Sequence, residues 1–199
     1  MSSEVVGCKT FEVNLRANTA RYVLESVGEL KPFAHVEIEG SSFEDSLALV
    51  EKMLSGDEAL AKAVKSTVYD IARKHIETAL NNLRGLVSFL EETLRKMPEA
   101  NLTDVVQKLR SIDRIARPLT FGLLSPVLGV NLTIAGGERP LAVLVDVRFG
   151  ERRDPVIVFS SAASDDLVNK VLNAFKNPGH AESTRIIREA EDVARLIWL

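Results

Sequence analysis

The fold is decided by residues 57–97, which read DEALAKAVKSTVYDIARKHIETALNNLRGLVSFLEETLRKM. Ser55 and Glu58 can form a reciprocal capping box at the start of this stretch, and Pro98 cannot continue a helix beyond its end. Between these signals, apolar residues recur on one face: Leu60, Val64, Val68, Ile71, Ile76, Ala79, Leu83, Leu86, Leu90 and Met97. The pattern therefore predicts a helix of about forty residues.

The length of this helix is difficult to fit into one small core. At 1.5 Å per residue it would measure about 60 Å, whereas a compact chain of 199 residues is only about 40 Å across. It must therefore break, most suitably near Asn81, Asn82 and Gly85, or project and pair with a partner. Near-heptad order in its second half is typical of helices that pair. We expect self-association through Ile76, Leu83, Leu86, Leu90 and Met97.

The composition limits the class of protein. Hydrophobic residues make up 46% of the chain and charged residues 27%, which is typical of a globular protein. A net charge of -3 gives no general attraction to nucleic acid or to an anionic membrane, so such binding would need a local patch. The single cysteine, Cys8, and the lack of a signal peptide indicate a reducing cytoplasm. The single glutamine, Gln107, amid many Glu, Lys and Arg residues favours a thermophilic source.

The rest of the chain predicts an antiparallel sheet. Residues 130–135, 141–149 and 155–160 read as three strands joined by short turns, which is typical of a meander. The middle strand is apolar on both faces and should lie centrally, covered by helices. Residues 10–16 and 34–39 alternate and add one or two N-terminal strands, which a helix between them could connect as a parallel crossover.

We therefore predict an α+β fold in which a mainly antiparallel sheet packs against a large helical layer. That layer contains one very long helix or a helical hairpin, with further helices at residues 43–54 and 102–116. We expect one domain over residues 1–199, with residues 57–117 as a possible projecting helical subregion.

Arginines form the most suggestive basic feature. The candidate nucleic-acid contacts are Arg110, Arg114, Arg117, Arg148, Arg152 and Arg153. The first three recur at i, i+4 and i+7 on one predicted helix, where they could contact successive phosphates. The last three surround the second hairpin turn, from which arginine can reach a nucleic-acid backbone. The alternative is an ordinary solvated surface, because acidic residues interrupt both groups.

Asp146 is a possible acidic site. An acidic residue is disfavoured in an otherwise apolar central strand and often indicates function. An enzyme could use Asp146 with Glu37 or Asp165, provided that the fold forms a pocket around it. The alternative interpretations are an ion pair with Arg148 or a hydrogen bond to a helix N-terminus.

A metal site is a weaker hypothesis. His35, Glu37 and Glu39 alternate on one predicted strand, and their side chains suit a divalent cation. Three ligands on one strand would span about 13 Å, so only adjacent pairs could share an ion. The polar outer face of a strand explains them better, and we predict no metal and no other cofactor.

These patterns favour a non-catalytic interaction or assembly subunit that self-associates through its long helix. The expected partner is a second copy or another protein, and no membrane contact is expected. A nucleic-acid-binding protein that uses the arginines and an enzyme with an acidic site around Asp146 are the alternatives.

Overall fold

The structure, a computed structural model, describes residues 7–38, 43–96, 101–121, 128–149 and 152–178. The elements are β1 (Lys9–Glu12), α1 (Ala17–Ser26), β2 (Lys31–Ile38), α2 (Phe43–Met53), α3 (Glu58–Arg95), α4 (Leu102–Phe121), β3 (Leu128–Gly136), β4 (Pro140–Phe149), β5 (Arg152–Phe159) and α5 (Asp165–Lys176). The fold is α+β, as the sequence predicts.

One five-stranded sheet has the order β1-β5-β4-β3-β2, and each neighbouring pair is antiparallel. The predicted meander forms β3, β4 and β5, and β4 lies at the centre. The possible parallel crossover between the N-terminal strands does not form, because the meander separates β1 from β2. These two strands lie at opposite edges of the sheet.

The edge position of β2 explains how this strand accommodates a proline. The alternating pattern predicts that the strand begins at residue 34, but β2 begins at Lys31 and includes Pro32. Its pairing with β3 shifts register between Pro32 and Ala34. An edge strand pairs on one side only, so it tolerates a proline without losing a central ladder hydrogen bond.

Helices cover both faces of the sheet. The helices α2 and α3 pack on one face, where Val143, Val145 and Val147 of β4 belong to the same buried cluster as Leu60 and Val64. The helices α1 and α5 pack on the other face, over a cluster that includes Ala142 and Leu144 of β4. Both faces of β4 are covered, which explains why its sequence is apolar in almost every position.

The long helix α3 is continuous, so of the two alternatives the break near Asn81, Asn82 and Gly85 does not occur. Its 38 residues span about 57 Å. Residues with fully buried side chains lie between Leu60 and Ala79, and within residues 80–96 every side chain is at least partly exposed. This second half packs instead against α4, where the Lys108 ammonium lies 4.2 Å from the centre of the Phe89 ring. The helices α3 and α4 thus form a helical hairpin.

Candidate functional site

A polar cavity of about 290 Å³ lies between the first turn of α1 and the sheet face formed by β2, β3 and β4. The polar side chains that the strands contribute are His35, Glu37, Asn131, Thr133, Asp146 and Arg148. Asn18 and Arg21 of α1 complete the polar lining. This is the part of the sheet face where polar residues replace the apolar cluster under α1 and α5.

Strand pairing explains why residues so distant in sequence meet here. Glu37 pairs with Asn131, and Asn131 pairs with Asp146, so these three residues form one row across the sheet. His35 and Thr133 pair in the adjacent row. Directly opposite residues in an antiparallel sheet lie about 5 Å apart, so the rows bring the polar groups together.

Asp146 lies in this cavity and is only 2% exposed. Of the two acidic residues that the sequence suggested as its companions, Glu37 lines the same cavity. Asp165 lies elsewhere, at the first position of α5, where it pairs with Lys9. Both side chains are exposed, so this is a surface ion pair, in which the Lys9 ammonium lowers the pKa of the Asp165 carboxylate. The geometry therefore supports Glu37 and not Asp165 as a companion of Asp146.

Arg148 also lies in the cavity, two residues beyond Asp146 on the same face of β4. Its cross-strand neighbours are Gly129 of β3 and Arg153 of β5. A Cβ atom at Gly129 would lie 3.2 Å from both Nε and Nη2 of Arg148, closer than most real Cβ contacts. The glycine therefore leaves the space in which the guanidinium group lies against β3.

The other predicted arginines are only partly described. Arg110 is exposed on α4. Arg114 and Arg117 belong to α4, and Arg152 and Arg153 belong to β5, but their side chains lie outside the described part of the structure. A shared nucleic-acid-binding surface remains a prediction. Arg148 contributes to the cavity and is half-buried, unlike an arginine on a protruding turn.

The histidine of the cavity has a specific neighbour. His35 Nδ1 lies 3.2 Å from the hydroxyl oxygen of Thr133 in the paired strand. Among the described residues, no three His, Cys, Asp or Glu side chains are grouped so that they could hold a metal ion. Glu39, the third residue of the metal site that the sequence suggested, lies outside the described ranges.

The first turn of α1 forms the wall of the cavity opposite the sheet. Ala17 and Asn18, which line the cavity, are the first two residues of this helix. No side chain caps this turn, and it contains no acidic residue. The backbone N–H groups at a helix N-terminus carry partial positive charge, so this wall favours negative charge in the cavity.

A second feature is an apolar stripe on the hairpin. We call it the α3 seam, and its residues are Ile76, Leu80, Leu83, Val87, Leu90 and Leu94. Their spacing alternates between four and three residues, which is the heptad pattern of helices that pair. Ile76 is 49% exposed, Val87 54% and Leu94 71%. On α4, Leu102, Val106 and Leu109 are also exposed large apolar residues.

The predicted self-association residues divide between this seam and other places. Ile76, Leu83 and Leu90 belong to the seam, whereas Leu86 is half-buried outside it and Met97 lies outside the described residues. The residue of this turn that faces the core is not Ile76 but His75, which is 2% exposed. The core face follows the helical repeat of 3.6 residues from Ile71 through His75 to Ala79.

The sequence alone did not predict that these polar residues line one cavity. It interpreted the polar residues of β2 as an outward face and did not consider Asn131 or Thr133. A signal was present, because Asn131 and Thr133 alternate with apolar residues just as His35 and Glu37 do. Only the strand order shows that these polar positions share one face with Asp146.

No protein-family model, curated protein or solved structure matches this chain. Within the described ranges, none of the helices combines the length and the apolar character needed to cross a membrane. The functional argument therefore depends on the geometry of the cavity and the α3 seam.

Proposed function

We propose that the protein is a non-catalytic assembly subunit that forms a dimer with a second copy through the α3 seam. The observation that carries this proposal is the unbroken heptad order of six apolar residues on a helix that projects beyond the core. A contiguous apolar stripe exposed to water favours association, because pairing removes its surface from water.

The magnitude is sufficient for a reversible dimer. Each half-exposed aliphatic side chain of the seam contributes about 1 kcal/mol when it becomes buried. Six residues from each copy therefore contribute about 10 kcal/mol, which is comparable with the cost of about 4–15 kcal/mol for association. At the lower limit of that cost the net free energy of association is about -6 kcal/mol, so we expect monomer and dimer to be in equilibrium at tens of micromolar and above.

Charges beside the seam support a second copy in antiparallel orientation. Glu77, Arg84 and Glu91 each follow a seam residue directly, at intervals of seven, so their signs alternate along one edge. With Leu80 of one copy packed against Leu83 of the second, Glu77 of each copy faces Arg84 of the other. A two-fold axis makes this pairing reciprocal. Oε1 of Glu77 also lies 3.0 Å from Nε of Arg73 in the same helix. Such an exposed ion pair is weak, so Glu77 can also contact Arg84 of the second copy.

The opposite edge of the seam disfavours a parallel pair. The residues that precede Leu80, Val87 and Leu94 are Ala79, Leu86 and Thr93, and none of them is charged. A parallel pair would place the charged edge of one copy against this uncharged edge of the other. Because the antiparallel dimer pairs Glu77 with Arg84 twice at its centre, it is the arrangement that we propose; the same register places Glu91 of each copy near Asp70 of the other.

Sedimentation velocity over a concentration series tests the dimer. We expect the wild-type protein to change from monomer to dimer and Val87→Glu to remain monomeric, because the variant would bury a carboxylate in the seam. Asn81→Glu is the matched control, since it adds the same charge to an exposed position of α3 outside the seam. A wild-type monomer at about 100 μM, or equal loss in both variants, would reject the proposal.

Charge exchange tests the orientation. Arg84→Glu should weaken the dimer, because it places two carboxylates opposite each other, and the double variant Glu77→Arg with Arg84→Glu should restore it. Equal dimerisation by all three proteins would contradict the antiparallel arrangement.

The proposal includes a cytoplasmic location, which the single, buried Cys8 supports because the protein then needs no oxidising compartment.

A further inference from the structure

We propose that Arg73 exchanges partners when the dimer forms, from Glu77 of its own helix to Glu91 of the second copy. This inference rests on the proposed dimer, because the new contact belongs to the same interface. It deepens that proposal by extending the interface beyond the α3 seam, into the part of α3 that packs on the sheet. The added contact fixes the register in which the two helices pair.

The register of the proposed dimer leaves two seam residues without seam partners. With Leu80 packed against Leu83 of the second copy, the two-fold axis passes between positions 81 and 82 of α3. The seam extends from Ile76 to Leu94, so it is not centred on this axis. Leu90 and Leu94 therefore lie opposite positions 73 and 69 of the second copy, which are outside the seam.

Tyr69 and Arg73 occupy these two positions, and they continue the heptad spacing of the seam toward the start of α3. Tyr69 is 42% exposed and Leu94 is 71% exposed, so the ring and the leucine of the second copy can cover each other. The Arg73 side chain is 80% exposed, and its aliphatic part can lie on Leu90 while its guanidinium group stays in water. Every seam residue then has an opposite side chain in the second copy.

The charges around Arg73 favour a change of partner. Within one copy, Nε of Arg73 lies 3.0 Å from Oε1 of Glu77, in an exposed ion pair of the weak kind. Dimer formation places Arg84 of the second copy opposite Glu77, so Arg73 can contact another carboxylate. Glu91 directly follows Leu90, the residue opposite Arg73, and its carboxylate is therefore within reach of the guanidinium group.

Arg73 also removes a repulsion at each end of the dimer. The register brings Glu91 of one copy near Asp70 of the other, and two facing carboxylates repel each other. Asp70 precedes Arg73 by three residues, so the two side chains are neighbours on one helix face. A guanidinium group has several N–H donors in a planar fork, so one arginine can contact both carboxylates.

Charge exchange tests this contact in the full chain, by sedimentation velocity over a concentration series. Arg73→Glu should weaken the dimer about tenfold, because two symmetric contacts change from attraction to repulsion. The double variant Arg73→Glu with Glu91→Arg should restore dimerisation, because the two charges are then exchanged. Arg110→Glu is the matched control, since it makes the same charge change at an exposed position of α4.

Cross-linking tests the extension of the interface to Tyr69. A mixture of Tyr69→Cys and Leu94→Cys proteins should form a covalent dimer with a short thiol-reactive linker, because the two positions face each other. Tyr69→Cys alone should not, since its two copies would lie about 37 Å apart along the paired helices. Cys8 is buried and gives the same background in every sample.

The outcomes separate this inference from the dimer itself. A wild-type protein that stays monomeric would reject both. A wild-type dimer that Arg73→Glu weakens no more than Arg110→Glu does, or that the double variant fails to restore, would reject the exchange of partners alone. Cross-linking of Tyr69→Cys with itself and not with Leu94→Cys, or no cross-linking in either sample, would reject the register.

Discussion

At the scale of single residues, Asp57 joins the start of α3 to the end of the sheet. Its Oδ1 accepts a hydrogen bond from the Leu60 backbone N–H at 2.9 Å and caps the helix. Its Oδ2 accepts from the Ser160 hydroxyl at 2.5 Å, directly after β5. Cys8 is buried in the same region, and burial raises the pKa of its thiol. One carboxylate thus fixes where the long helix begins on the sheet.

Ser160→Ala should therefore destabilise the fold. Ser160 is 3% exposed, so the variant removes a buried hydrogen bond to a charged group, and we expect the free energy of unfolding to fall by about 1–3 kcal/mol. Urea denaturation followed by circular dichroism measures this change. Ser111→Ala is the control, because Ser111 is exposed and its hydroxyl donates to the local Lys108 carbonyl. Equal small losses in both variants would show that the Asp57 contact has no structural importance.

At the scale of elements, α3 accommodates a glycine that the sequence suggested as a break. Gly85 lies inside the helix, is exposed, and an added Cβ would meet no atom within 4 Å. Neighbouring good helix formers and the contact with α4 keep the helix continuous there. The glycine weakens this helix without ending it, because its main effect is the entropy of the unfolded chain.

Gly85→Ala should consequently stabilise the protein, by about 0.5–1 kcal/mol. The contrasting variant is Gly136→Ala at the end of β3, where a Cβ would lie only 2.0 Å from the Arg139 carbonyl oxygen. That variant should destabilise the protein by about 1–3 kcal/mol, because a backbone atom cannot move away as easily as a side chain. Thermal unfolding of the two variants should therefore shift in opposite directions. A lower melting temperature for Gly85→Ala would contradict the continuous helix.

At the scale of the whole molecule, the sequence predicts local periodicity better than spatial neighbours. Alternation in residues 130–160 predicts the meander, because side chains in a strand alternate between two faces. The position of β2 beside β3 could not be predicted, since no short turn connects them. The cavity depends on that pairing, so Glu37 and Asp146 could be named as possible companions but not located together.

The long helix illustrates the same limit. The apolar residues predict its extent well, although Asp57 and not Ser55 caps its first turn, but they do not determine which residues face the sheet. Ile76 belongs to the seam, and His75 is buried one position earlier. The heptad and helical repeats differ by only 0.1 residue per turn, so one apolar stripe can change from a core face to a pairing face along a helix. Packing against the sheet determines where this change occurs.

This division of α3 predicts two levels of stability within one helix. Residues 60–79 include the buried face against the sheet, whereas residues 80–95 pack only partly, against α4. Backbone amides of the first half should therefore exchange hydrogen much more slowly than those of the second half, which hydrogen exchange with mass spectrometry measures.

If the seam forms the dimer, raising the protein concentration should slow exchange in residues 80–95 and leave residues 60–79 unchanged, because the dimer must dissociate before the seam opens. In Val87→Glu the concentration dependence should disappear, whereas Asn81→Glu should retain it. Uniform protection along α3 at low concentration would mean that α4 alone stabilises the projecting half, and the seam would then need no partner.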